Sequence, residues 1–149
     1  MKNLIFVFVF FNSYILQAQY APINAMIEQL EERKYSTKNL KNENLDDRKF
    51  VLIKDFADHT ERNVLVIKGN SANFIEIFDD KSTGKSSSNV FYGDVVKTQN
   101  NILSFRFDKL ENEKIVLPLT KAMMLVKKKK NLYLLDINTK EEWMAESNR

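Results

Sequence analysis

The stretch at residues 102–107 reads Ile-Leu-Ser-Phe-Arg-Phe, and from Leu103 onward its apolar and polar side chains alternate. Successive side chains of a β-strand point to opposite faces, so Leu103, Phe105 and Phe107 share one face and the polar residues between them share the other. The alternation therefore predicts a strand with one buried face and one face in water.

Six further β-favouring runs flank this strand and are separated by polar clusters. They are residues 50–56, 64–68, 74–78, 90–97, 114–126 and 132–137. No link between them suits a crossover helix, which predicts a seven-strand antiparallel meander rather than parallel βαβ units. Runs such as 132–135 are apolar on both faces and need cover on both sides, which a strongly curved sheet or a small barrel supplies. Pro118 interrupts the longest run and predicts a bend or an edge there.

A helix is predicted before the sheet. Pro22 occupies a position that the first turn of a helix tolerates. Four apolar residues then recur at helical spacing, namely Ile23, Met26, Ile27 and Leu30. The pattern predicts an amphipathic helix over about residues 22–34, which must dock on another element such as the sheet. Residues 36–49 are polar and fit either a second short helix or a loop.

A short closing helix is favoured after the last strand. Residues 139–142, Thr-Lys-Glu-Glu, have the capping-box pattern, and Trp143 would follow inside the helix. The competing interpretation extends the last strand through Trp143. The predicted fold class is mainly β (α+β), an N-terminal amphipathic helix followed by a seven-strand antiparallel meander.

Residues 1–19 have the three parts of a secretory signal peptide. Lys2 supplies a basic start, residues 4–16 are mostly apolar, and residues 17–19 place a small residue at the expected cleavage point. As a helix the apolar part would span about 20 Å, short of the roughly 30 Å hydrocarbon core, which favours a signal peptide over an uncleaved anchor. We expect an exported protein, periplasmic or secreted, with one β-rich domain over residues 20–149 and no transmembrane span after signal removal.

The composition excludes several classes of protein. The 149 residues include one His and no Cys, which argues against zinc fingers, iron–sulfur clusters, thiol catalysis and a disulfide framework. Small exported eukaryotic domains depend on disulfides, so the lack of Cys favours a bacterial protein. The net charge of +3 is too small to indicate nucleic acid.

Two acidic clusters offer acid–base chemistry. His59 lies in the acidic stretch 55–61, and Glu76 precedes the pair Asp79-Asp80. Solvated turns account for the same residue types, so we predict that His59 lies in a turn and assign no catalytic residue. A hydrolase that uses Asp or Glu stays open as an alternative. It requires two carboxylates, or His59 and a carboxylate, that face one another in a cleft.

Lys127, Lys128, Lys129 and Lys130 form the strongest local feature, a four-lysine run between two apolar strands. Such a tip either keeps the strands from pairing with another chain or binds an anionic partner, and it lacks the interleaved aromatics of nucleic-acid surfaces. We take these four lysines as candidate partner-binding residues.

The sequence favours a non-catalytic binding or interaction module and indicates no cofactor and no metal. Its partner would be a protein, an anionic surface or an apolar small molecule. An apolar-ligand carrier stays open beside the hydrolase, and it would require an internal cavity. A structural or assembly role would require an exposed apolar edge near Pro118 or Trp143.

Overall fold

The computed structural model describes residues 35–36, 40, 42–98 and 100–146. Within these ranges the chain forms eight strands: β1 (Lys49–Asp55), β2 (His59–Lys68), β3 (Ser71–Asp80), β4 (Ser86–Lys97), β5 (Ile102–Leu110), β6 (Glu113–Lys128), β7 (Asn131–Asp136) and β8 (Glu142–Ala145). Each strand pairs antiparallel with the next, and β8 pairs with β1, so the sheet closes into a barrel.

The predicted mainly-β class and the antiparallel meander are confirmed, with eight strands instead of seven. The described residues contain no helix, and therefore none that could span a membrane. The predicted helix over residues 22–34 and the predicted signal peptide over residues 1–19 lie outside the described residues. All eight strands lie in the compact unit Thr37–Arg149.

The predicted short helix after residue 139 is wrong, because this segment turns back and forms β8. The Asp136 carboxylate accepts hydrogen bonds from the backbone N–H groups of Asn138 (2.8 Å) and Thr139 (3.0 Å), and these bonds hold the turn. The Thr139 hydroxyl donates to the Glu141 carboxylate instead of capping a helix. As part of a strand opposite Leu134, Trp143 fills the barrel interior, and β8 completes the closure.

The strand bounds differ most at β2. The polar residues 59–63 were expected in a link between two strands. They instead belong to β2 and pair in register with β3, and the last pair is His59 with Asp80. Polar side chains occur here within a strand because this half of the barrel interior is open to solvent at its end. The sequence left residues 36–49 open between a short helix and a loop. Within this range, residues 42–48 form turns.

The barrel core consists of inward-facing side chains from all eight strands, including Phe50, Leu65, Phe74, Phe105, Phe107, Leu125, Leu134 and Trp143. On β6 and β7 both faces are buried, as expected for runs that are apolar on both sides: Met124, Val126 and Leu135 alternate with core residues. Burial of these side chains is the main term that stabilises the fold.

The two ends of the barrel differ. At one end, Leu40 and Leu45 join the core cluster and close the interior. The carboxylate of Asp46 fastens this segment to the β2–β3 turn by accepting the Gly69 N–H at 2.7 Å. The opposite end, where β1 ends and β2 begins, carries the loops 56–58, 81–85, 111–112 and 137–141. We call it the open end.

β6 is irregular at Pro118, as its sequence predicted. Leu119 lies opposite Phe107 and Lys114 lies opposite Lys109, so the intervening residues of β6 bulge out of register. Val116 is fully exposed and Leu117 is 85% exposed. An exposed apolar edge therefore lies beside Pro118, whereas Trp143 is buried.

Candidate functional site

The interior becomes more polar toward the open end, in layers set by the strand register. Moving two residues along each strand gives the next layer on the same face. The first layer is Phe50, Leu65, Phe74 and Phe91 on β1 to β4; the second is Leu52, Asn63, Glu76 and Asn89; the third is Lys54, Glu61, Phe78 and Ser87. The interior thus changes from aromatic, through amide and carboxylate, to charged.

A cavity of about 380 Å³ opens at this end of the barrel. Its walls include every residue of the second and third layers except Leu52. Phe74 and Trp143 lie at its apolar base, and Lys121 and Glu141 also line it. The cavity is large enough for a small metabolite, since pockets that hold such ligands begin at about 300 Å³.

Lys121 reaches from β6 over the aromatic base of the cavity. Its ammonium nitrogen lies 4.8 Å from the centre of the Phe74 ring and 5.8 Å from that of the Trp143 ring. Both distances are within the range of a cation–π interaction. Among the described residues, no carboxylate forms an ion pair with Lys121. The rings therefore hold a positive charge that makes no direct ion pair with a described residue, although it lies near enough to Glu141 to act on that carboxyl.

The second layer presents polar groups that lack protein partners. Asn63, Glu76 and Asn89 are cross-strand neighbours on β2, β3 and β4. In the part of the chain that the structure describes, their side chains make no hydrogen bond and no ion pair. Amides and carboxylates that face one cavity in this state are available to a ligand.

Trp143 lies at the base of the cavity, but its indole nitrogen is buried and has almost no accessible surface there. The side chain is only 1% exposed, yet its indole N–H has no acceptor among the described residues. An unpaired buried donor costs about 1–3 kcal/mol, so buried polar groups in proteins are nearly always paired. The rings of Trp143 and Phe74, not the indole N–H, therefore form the apolar base of the cavity.

Lys54 and Glu141 form an ion pair across the entrance of the cavity. Burial by itself would raise the pKa of the Glu141 carboxyl. The hydrogen bonds donated by Lys54 and Thr139 outweigh that effect, and the charges of Lys54 and Lys121 add to them, so the pKa lies below its ordinary value. Glu141 is therefore ionised at neutral pH, and its charge is neutralised by Lys54.

His59 lies at the rim, where the structure differs from the predicted solvated turn. It is the first residue of β2, its side chain is 19% exposed, and its ring stacks between Phe56 (4.4 Å) and Phe78 (4.6 Å). Its Nδ1 atom lies 2.7 Å from the Asp58 carboxylate, and its Nε2 atom lies 3.6 Å from that of Glu61. His59 thereby connects the rim to a carboxylate of the cavity wall.

The pair Asp79-Asp80 orders the β3–β4 hairpin. Asp79 accepts two hydrogen bonds from Arg62, at 2.7 and 3.1 Å. Asp80 accepts bonds from the Ser82 hydroxyl and from the backbone N–H groups of Ser82 and Thr83, which lower its pKa to about 2. Neither carboxylate lines the cavity. A general acid needs a pKa near the working pH, so Asp80 is unsuited to that role.

The four candidate lysines lie at the opposite end of the barrel from the cavity. Lys127 and Lys128 end β6, and Lys129 and Lys130 form the turn to β7. Their role as partner-binding residues stays a prediction. Among the described residues, no group of three or more His, Asp or Glu side chains is placed to hold a metal ion.

The sequence interpretation named Glu76 only as part of an acidic cluster and did not identify the cavity. Asn63 and Glu76 follow the inward-facing periodicity of Leu65 and Phe74, and that continuation of period two through polar residues was the signal that could have revealed them. Comparison with protein families, curated proteins and solved structures found no match to this chain.

Proposed function

We propose that this chain is an exported, non-catalytic binding module that holds a small polar ligand at the open end of its barrel. The observation that carries the proposal is a set of polar side chains on one cavity that have no partner among the described residues, namely Asn63, Glu76 and Asn89. Hydrogen-bonding groups that converge on a concave site are the usual basis of small-molecule recognition.

Polarity of the ligand follows from how the interior is filled. Large side chains occupy the apolar half of the barrel, where Phe50, Phe105 and Phe107 are buried. The space that is left lies among amides, carboxylates and ammonium groups. A wholly apolar ligand there would remove those groups from water without replacing their hydrogen bonds, which is unfavourable. A polar ligand is thus favoured over the apolar-ligand carrier.

A hydrolase is the second candidate, because Glu61 and Glu76 line the same cavity and His59 lies beside Glu61. Two carboxylates that flank a bond can provide acid and base. Binding without turnover distinguishes the proposed module from this alternative. A bound compound recovered unchanged by mass spectrometry would support the module.

The single Trp of the chain lies at the base of the cavity, so its fluorescence provides a direct test. The purified protein is titrated with amino acids, monosaccharides and, as an apolar probe, palmitate. We expect saturable changes in emission with a polar compound and none with palmitate. Asn89→Ala should weaken the binding, and Ser104→Ala on the exposed face of β5 should leave it unchanged. Binding of palmitate alone would overturn the proposal.

A further inference from the structure

We infer that the ligand is a small zwitterion of the amino-acid class, with its carboxylate on Lys121 and its ammonium on Glu76. This inference rests on the proposed function and specifies the chemistry of the same cavity. Three observations carry it: which charges in the cavity are unpaired, how they are arranged, and which neutral groups surround them.

The charged side chains of the cavity include two of opposite sign that form no ion pair among the described residues. Five charged side chains line it, namely Lys54, Lys121, Glu61, Glu76 and Glu141. Lys54 and Glu141 neutralise one another. Glu61 lies 3.6 Å from the His59 ring, which is a counter-charge only when it is protonated. Lys121 and Glu76 form no ion pair with any described residue. A ligand with a single charge would leave one of these two half-buried groups without a counter-ion.

The arrangement of the two charges suits a short bridge. Glu76 follows Phe74 by two residues on the same face of β3, an advance of about 7 Å along the strand. The Lys121 nitrogen lies 4.8 Å from the centre of the Phe74 ring, so both groups border the same aromatic base. No ion pair joins the two side chains, and both line the same cavity, so a molecule bound there can contact both. The ammonium and carboxylate of an α-amino acid are separated by a single carbon atom.

Neutral side chains complete the end of the site that would receive the ammonium. Asn63 and Asn89 flank Glu76 across the strands, and their amide oxygens can accept the protons of an ammonium that Glu76 leaves free. At the other end, the Phe74 and Trp143 rings hold the Lys121 ammonium over the base of the cavity, where it can meet a carboxylate. A neutral polyol would meet these hydrogen-bonding groups but would leave both charges unpaired, and burial of an unpaired charge is unfavourable.

The cavity also accommodates the rest of an amino acid. Its volume of about 380 Å³ exceeds what the charged backbone groups need. Phe78 lines the outer wall and is 42% exposed, so an apolar side chain of the ligand can pack on it while extending toward solvent. The site thus favours amino acids with an apolar or aromatic side chain over the most polar ones.

The experiment compares ligands that differ by one charge. Leucine and phenylalanine are titrated as free amino acids, as N-acetyl derivatives that lack the ammonium, and as amides that lack the carboxylate, with glucose as a neutral probe. Trp143 fluorescence and calorimetry give the dissociation constants. We expect a free amino acid to bind at least tenfold more tightly than either derivative, and glucose not to bind.

Two charge variants assign each end of the ligand. Glu76→Gln should weaken binding of the free amino acid at least tenfold and leave that of the N-acetyl derivative unchanged. Lys121→Met should weaken binding of the free amino acid and leave that of the amide unchanged. Glu111→Gln and Lys109→Met, on exposed residues of the β5–β6 hairpin, are the matched controls.

Each outcome supports or overturns the inference. If glucose binds and the amino acids do not, the ligand is not a zwitterion, although the cavity still holds a polar ligand. If palmitate alone binds, the proposed function fails as well. Equal affinity for the free amino acid and its N-acetyl derivative would show that Glu76 does not bind the ammonium group, and would overturn the inference. These ligand comparisons use the unaltered protein, so they decide the question even if a variant fails to fold.

Discussion

The Lys121 ammonium nitrogen lies 4.8 Å from the centre of the Phe74 ring, at the base of the cavity. Replacing Lys121 with Met keeps an unbranched apolar stem over the rings and removes the charge. Loss of the cation–π interaction, about 0.5–2 kcal/mol, is offset because a half-buried ammonium no longer has to be desolvated. We expect the free energy of unfolding of Lys121→Met to stay within about 1 kcal/mol of the original, measured by urea denaturation.

A larger loss would contradict the placement of Lys121 as a ligand-binding group. It would mean that the ammonium holds the barrel together, and its lack of an ion pair would then need another explanation. Lys109→Met, on the exposed part of β5, is the control for removal of a charge without a change in a buried contact.

The alternation in residues 102–107 was enough to predict β5. From Leu103 onward, each side chain there lies either in the barrel core or in solvent, and the residue type matches its location. Leu103, Phe105 and Phe107 are buried, and Ser104 and Arg106 are exposed, as the period of two requires. The meander was predictable for a related reason, since short polar links allow only neighbouring antiparallel strands. Local pattern and final environment agree in these segments.

β8 and the cavity were harder to predict, because their structure depends on contacts distant in sequence. The capping-box pattern after residue 138 is local, whereas burial of Trp143 opposite Leu134 depends on barrel closure. Asn63 was expected in a break between strands, and Glu76 lay in a predicted strand with no indication of which face it occupies. Their inward direction becomes evident only from the register of β2 with β3. Closure of the barrel therefore determines that residues 142–145 form a strand and that the cavity side chains point inward, which local propensity does not determine.

Gly93 is required by a close approach of two strands. A Cβ atom at this position would lie 1.9 Å from the backbone oxygen of Arg106 and 2.6 Å from the Cα atom of Phe107, beside the irregularity between β4 and β5. Gly93→Ala must therefore separate the two backbones. We expect a loss of about 3 kcal/mol or more in the free energy of unfolding, at the upper end of overpacking effects.

Thermal denaturation of Gly93→Ala and Ser104→Ala provides the comparison. Ser104 is exposed on the adjacent strand, so its substitution should change the melting temperature little. An unchanged melting temperature for Gly93→Ala would show that β4 and β5 do not approach as closely as described.

The hairpin carboxylates predict a decrease in stability in acid. Hydrogen bonds from Ser82, and from the backbone N–H of Thr83, lower the pKa of Asp80 to about 2. A carboxyl whose pKa is lower in the folded state stabilises the fold above its unfolded pKa, about 3.9, and this contribution is lost as the pH falls toward 2. We expect the free energy of unfolding to decrease over this range, and Asp80→Asn to decrease less steeply.

Urea denaturation at intervals between pH 5 and pH 2 measures this difference in slope. Asp94→Asn is the matched control, because the Asp94 side chain is exposed and accepts no hydrogen bond from the residues that the structure describes. Parallel curves for Asp80→Asn and the original protein would mean that the Asp80 carboxylate does not order the hairpin.

The four-lysine tip and the cavity lie at opposite ends of the barrel, so their functions should be separable. An anionic membrane surface attracts each nearby lysine by about 1 kcal/mol. If Lys127–Lys130 bind such a surface, Lys129→Gln with Lys130→Gln should weaken binding to vesicles of phosphatidylglycerol and phosphatidylcholine by roughly 25-fold, and cavity binding should be unchanged. Co-sedimentation with the vesicles and Trp143 fluorescence measure the two effects on the same variant. Vesicle binding equal to that of the original protein would leave the tip as a solvated turn between β6 and β7.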